Sequence, residues 1–138
     1  MAELNINLGV EEYVINGKTK IYLNPTDPAF VGKMYARFTE LEAQDKEWRG
    51  KIASLENAAV LQAWEEGDAI FRGAVDDLLG DGTCASICGS ISVLALSDGL
   101  PLWMNIMLAI IDMMDTAVAR EQKETNPKLQ KYLSKYHK

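Results

Sequence analysis

The chain has 138 residues, 48% of them hydrophobic and 25% charged, with a formal net charge of −6 at pH 7. That length suits one domain that buries its own core without disulfides or metals, and the composition excludes global disorder. A negative field repels phosphate backbones, which argues against nucleic acid as a partner. Met1 to Asn5 lacks the basic and apolar regions of a secretory signal. The longest apolar run, Leu100 to Ile111, is broken by Asn105 and closed by Asp112, short of the roughly 20 residues that span a bilayer. A cytoplasmic protein without a membrane role is expected.

Leu4-Asn5-Ile6-Asn7-Leu8 alternates apolar and polar residues, the period of a strand. It is either a third strand or an arm that pairs with a partner. Tyr13-Val14-Ile15 and Lys20-Ile21-Tyr22-Leu23 flank Asn16-Gly17, and Asn-Gly supplies the positive φ angles of a tight hairpin turn. A lone hairpin is marginal in water, so this one needs helices to lean on.

Asp27-Pro28 then opens a helix, with an acceptor at the N-cap and proline at the first helical position. Met34, Leu41, Trp48 and Leu55 recur every seven residues, with Val31, Phe38, Asp45, Ile52 and Ala59 as companions. This a/d pattern, polar only at Asp45, predicts a helix from Pro28 to about Leu55, bent or ended at Gly50. It packs either as an intramolecular hairpin or as the seam of a homo-oligomer, and the hairpin is the simpler expectation.

A second helix is expected from about Asn57 to Leu79, with Val60, Trp64, Phe71, Val75 and Leu78 on its apolar face. Gly67 lies within that face, where glycine permits close approach of another segment. Gly80-Asp81-Gly82 is a strong helix stop. Thr83 caps a short helix to about Ser90, and Ile91 to Leu96 reads as either strand or helix. Ser97-Asp98-Gly99 reads as a loop, and Pro101 begins a last helix bearing Trp103, Met107, Ile110, Met114 and Val118. Pro127 breaks or restarts that helix. The basic run from Lys128 to Lys138 reads as a solvated terminal helix.

The pattern is poor in chemistry. Cys84 and Cys88 are four apart, but no second metal-binding pair follows, and the one histidine is His137. They read as small buried apolar residues. The carboxylate pairs Glu11-Glu12, Glu65-Glu66 and Asp76-Asp77 are adjacent in sequence and point apart on a helix. Asp112 and Asp115 interrupt an apolar helix three apart; they are the polar edge of the stripe or, in a rival reading, a metal-binding pair. Gly80-Asp81-Gly82-Thr83 lacks the Gly-Lys-Ser/Thr ending of a phosphate loop. No catalytic, cofactor or metal residues are expected. Core packing is the default for the last helix, with methionines at 104, 107, 113 and 114. The alternative is a partner-binding face, whose contact residues would be Trp103, Met107, Ile110 and Met114.

The layout resembles small tail assembly chaperones of phages and prophages of Gram-positive bacteria. The resemblance rests on the Tyr13–Leu23 hairpin, the proline-started helix at Asp27-Pro28-Ala29-Phe30-Val31, and the element Asp76-Asp77-Leu78-Leu79-Gly80-Asp81-Gly82-Thr83, followed by a closing helical region. It covers nearly the whole chain as a pattern of elements; the small apolar segment Cys84–Gly89 departs from it. It implies a protein that binds the tape-measure protein and helps tail-tube subunits assemble around it. A structural tail component is the alternative. Trp48-Arg49-Gly50 also matches the Trp-x-Gly of small secreted helical hairpins, but Trp48 is in register with the helical stripe.

The expected fold is therefore α+β and mostly helical, one domain over 1–138. An antiparallel hairpin in residues 1–24, of two or three strands, packs on three or four helices in residues 27–138.

Overall fold

A computed structural model describes residues 1–123 of the chain. The break at Pro127, the basic run 128–138 and His137 lie outside the described residues. Strands β1 (Glu11–Ile15) and β2 (Thr19–Leu23) form an antiparallel hairpin. Helices α1 (Pro28–Ile52), α2 (Ala58–Leu79) and the short α3 (Thr83–Cys88) follow. Two two-residue strands, β3 (Leu96–Ser97) and β4 (Leu100–Pro101), lead into α4 (Leu102–Lys123). The fold is α+β and mostly helical, as the sequence indicates.

The hairpin turns as its chemistry requires. Asn16 and Gly17 have φ of 53° and 72°, and the Lys18 amide donates to the Ile15 carbonyl across the turn. The ladder pairs Ile15 with Thr19, leaving Lys18 as the extra residue. Thr19, Ile21 and Leu23 are buried, whereas Lys20 and Tyr22 face solvent, so the alternation of β2 sets which face meets the helices. Residues 4–8 form no strand; they precede β1 as an exposed arm.

Asp27 caps α1 by accepting from the Ala29 amide at 3.0 Å, with Pro28 in the first turn. The heptad rows point inward through Met34, Leu41, Asp45 and Ile52, and α1 packs on α2 and α4. Gly50 neither ends nor replaces a turn: α1 continues to Ile52, and Leu55 lies beyond it. Trp48-Arg49-Gly50 is thus helix interior rather than a connection.

At Gly67 side chains of α1 and of the 89–95 connection both press onto α2. A Cβ there would lie 2.6 Å from Trp48 Nε1 and 3.0 Å from Leu94 Cδ1. The indole lies across the glycine and donates to the Ala63 carbonyl at 3.1 Å. The α2 helix stops at Gly80, whose φ of 117° no side-chain-bearing residue adopts comfortably.

The segment Ile91–Ala95 is neither strand nor helix. Asp98 and Gly99, with φ of 57° and 78°, instead turn the chain tightly between β3 and β4. Pro101 therefore belongs to β4, and α4 begins one residue later. Measured by length and composition alone, α4 is long and apolar enough to cross a membrane. In this fold one face of it, Trp103, Met107, Ile110, Met114 and Ala117, is buried against the rest of the chain, while 33% of the apolar window as a whole is buried.

The two α2 glycines should respond in opposite ways to alanine. Gly67→Ala must displace Trp48 or Leu94, which costs about 1–3 kcal/mol. Gly73 has nothing within 4 Å of its notional Cβ, so Gly73→Ala should stabilise by about 0.5–1 kcal/mol. Urea denaturation of both variants checks the difference; equal effects would contradict this packing.

Candidate interaction surfaces

Trp103 and Asp45 meet at the centre of the molecule. The Trp103 indole is fully buried, stacked on Phe71 with ring centroids 5.7 Å apart and planes 5° apart, and tilted against Phe38 at 5.8 Å. Its Nε1 donates to Asp45 Oδ2 at 2.8 Å. The other Asp45 oxygen accepts from Arg49 Nε, one helical turn on. Arg49 Nη2 then reaches the Leu94 carbonyl at 2.9 Å, and the guanidinium carbon lies 5.3 Å from the centroid of the Trp64 ring. The break in the heptad row is thus a carboxylate whose donors come from within the fold, not a ligand site.

A second polar row runs along α2 at four-residue spacing. Asp68 accepts from Arg72 Nε, from Ser92 Oγ at 3.1 Å and from the Val93 amide at 2.8 Å. Arg72 Nη2 donates to the carbonyls of Gly89 and Ile91 at 2.9 and 2.7 Å. Asp76 accepts from the amides of Gly82 and Cys84 at 3.1 and 2.9 Å. Asp76 thereby satisfies amides at the start of α3, a task the helix cannot perform for itself. The Gly80-Asp81-Gly82-Thr83 element is thus a helix-to-helix joint.

On the last helix the default reading, core packing, holds, and the alternative of a partner-binding face at Trp103, Met107, Ile110 and Met114 does not. Trp103, Met107, Ile110 and Met114 are all buried in the central cluster, so no partner touches them without opening the fold. Position on the stripe made them candidates, but α1, α2 and the hairpin cover that stripe. Asp112 and Asp115 are exposed on the outer side of α4, and Tyr35 Oη approaches Asp115 Oδ1 at 3.5 Å. Among the described residues, no three His, Cys, Asp or Glu side chains gather to hold a metal ion.

Both cysteines are free, Cys84 buried and Cys88 half-buried. Burial pushes the Cys84 thiol up to about 12, with the Asp76 carboxylate adding to the shift. Burial also raises Cys88, opposed by the Arg72 cation. Neither thiol has the electropositive setting that activates a nucleophile.

Besides an apolar depression beside Trp64, Leu94 and Leu96, two others lie on the surface of the described residues. One, of about 270 Å³, lies between α1 and α2. Trp48, Ile70 and Phe71 form its apolar part, with Gln44, Glu47 and Lys51 around them. The Lys51 ammonium lies 5.8 Å from the Trp48 ring centroid. The other, of about 190 Å³, runs between β1 and α4, with Tyr13, Val14 and Ile15 on one wall and Ile106, Ala109 and Met113 on the other. Neither was legible in the sequence, because each is shared by two elements distant along the chain. Ile70 was the available signal, a large apolar residue off the α2 stripe and 51% exposed.

Asp45→Ala should cost about 1–3 kcal/mol, since it leaves the Trp103 N–H unpaired in the interior, while Arg49, 32% exposed, keeps the Leu94 carbonyl; chemical denaturation measures the loss. For Cys84 the folded state disfavours the thiolate. Its contribution is complete below the unfolded pKa of about 8.5 and is lost as pH rises toward 12. Melting temperature should fall above about pH 9, and less steeply in Cys84→Ala. Iodoacetamide at pH 8 should modify Cys88 before Cys84; equal rates in the native protein would contradict this burial.

Comparison with protein-family models, curated proteins and solved structures finds no match to this chain.

Proposed function

We propose that this chain is a non-enzymatic assembly chaperone for phage tails, which binds the tape-measure protein and aids assembly of the tail tube around it. The phage context comes from the resemblance in layout. The binding role is carried by one observation: the α1–α2 depression pairs an apolar floor with a polar rim, as protein-binding patches do. The charged side chains nearest the core, Asp45 and Asp68, already have donors within the chain. That leaves surface rather than chemistry for function.

The mechanism is shielding. A client segment would lay an apolar side chain against Trp48 and Ile70 while Glu47 and Lys51 contact its polar flanks. Trp48 is held from behind by its bond to Ala63 and by Gly67, so the floor is pre-formed and little ordering opposes binding. Such a seat would keep an aggregation-prone segment covered until tube subunits replace the chaperone.

Co-expression with a tape-measure fragment, followed by co-purification, tests the proposal. The wild-type chain should retain the fragment at micromolar concentration. Ile70→Glu places a charge on the floor without touching the buried core and should lower retention at least about tenfold, since burying an aliphatic side chain is worth about 1.5–3 kcal/mol. No retention by the wild type would reject the function; equal retention by Ile70→Glu would reject the seat.

A further inference from the structure

The arm before β1 exposes an unbroken series of apolar side chains. Leu4, Ile6 and Leu8 are 88%, 78% and 71% exposed, and Val10 is 57% exposed. They alternate with Asn5, Asn7 and Gly9, so in extended form they share one face. The arm does not lie along its own β1. Gly9 has φ of 72° and packs so closely on Asn24 that a Cβ would come within 2.6 Å of Nδ2. Asn24 Nδ2 donates to the Leu8 carbonyl at 2.8 Å, and the Gly9 amide donates to Asn7 Oδ1 at 2.9 Å. These contacts fasten the root of the arm to the link between β2 and α1.

Meanwhile, among the described residues, β1 pairs only with β2, and no strand of those residues lies on its other side. Beside it lies the apolar depression against Ile106, Ala109 and Met113 of α4. The arm stretch 4–8 and β1 are both five residues long. An added strand there would complete its backbone hydrogen bonds on β1 and seat alternate side chains against α4.

We propose that the arm of one copy adds to β1 of a second copy, reciprocally, forming an arm-exchanged homodimer. Area selects the second copy as occupant and reciprocity as its mode. Leu4, Ile6 and Leu8 carry roughly 300 Å² of apolar surface at about 100 Å² each, and the groove with the β1 edge contributes about as much. One arm–groove contact then buries roughly 600 Å², below the roughly 1,200–2,000 Å² of stable interfaces, whereas two reach the lower end of that range. Two-fold exchange makes the contact self-complementary and closes the assembly at two chains.

Sedimentation velocity and light scattering of the full chain at 1–100 µM (about the range where such an area gives measurable association) test this. The expected mass is that of two chains. The triple variant Leu4→Ser, Ile6→Ser, Leu8→Ser changes only exposed side chains. It should retain its circular dichroism and melting temperature at low concentration and weaken dimerisation roughly a hundredfold or more. Ala109→Glu, at an exposed α4 position in the groove, should do the same from the other side. A monomeric wild type at 100 µM, a dimer unaffected by either variant, or assembly beyond two chains would each overturn the proposal. The α1–α2 floor is untouched by these variants, so retention of a tape-measure fragment reports separately on the proposed function.

Discussion

The helical body depends on how α1 meets α4, and the carboxylate of Asp45 joins the two. It stands on α1, receives the indole N–H of α4 on one oxygen and the Arg49 guanidinium on the other, and through Arg49 reaches the Leu94 carbonyl. Burying an ion pair gives little net stability over well-packed apolar groups. Its effect lies in selection. A buried acid that receives the α4 indole on one oxygen favours one arrangement of α1 against α4, and sliding either helix by one residue leaves the Trp103 N–H and that oxygen without each other, although Arg49 still pairs with Asp45 within α1. The stack of Trp103 on Phe71 then places α2 by shape alone.

The connection from α2 to α4 is governed differently. Its regular structure is α3 and two two-residue strands, and Asp68, Arg72 and Asp76, on one side of α2, hold its backbone at Gly82, Cys84, Gly89, Ile91 and Val93. One helix face therefore does what a sheet ladder does elsewhere, by pairing main-chain amides and carbonyls of a neighbouring segment. The hairpin is attached lightly by comparison. Ile21 and Leu23 enter the core, Thr19 Oγ1 and Ser86 Oγ share a hydrogen bond at 2.6 Å, and the exposed Arg120–Glu11 pair at 3.2 Å adds little.

What the sequence disclosed follows from the range of the interactions concerned. Local chemistry was legible: Asn16-Gly17 made a turn, Asp27-Pro28 opened α1, Gly80 closed α2, and the seven-residue rows gave the inward face of α1. The Asp98-Gly99 turn carried the same signal as Asn16-Gly17, but the strands beside it are two residues long and leave no alternation to read. Asp45 was visible only as an interruption. Its donors lie four and 58 positions away, and nothing local announces the distant one. The Met-rich stripe of α4 was legible as apolar and by default as core, but what covers it was not, because burial depends on three other elements. The arm at residues 4–8 carries the alternation of a strand and forms none in the described fold. Its root is held instead by Asn24, sixteen residues from Leu8 along the chain.

The way α2 grips its neighbouring connection has one more consequence, for how such a sequence drifts. Most of the atoms it holds between Gly82 and Leu94 are main-chain N–H and C=O groups, which every amino acid except proline supplies alike. The side chains of that connection are thus free to wander in identity wherever they are not themselves buried, while Arg49, Asp68, Arg72 and Asp76 are not. Two chains with this architecture would share a few scattered charged residues on α1 and α2 and differ throughout the stretch those residues secure. Kinship of that kind is recorded in the holders rather than in the held, and it leaves little contiguous identity along the chain.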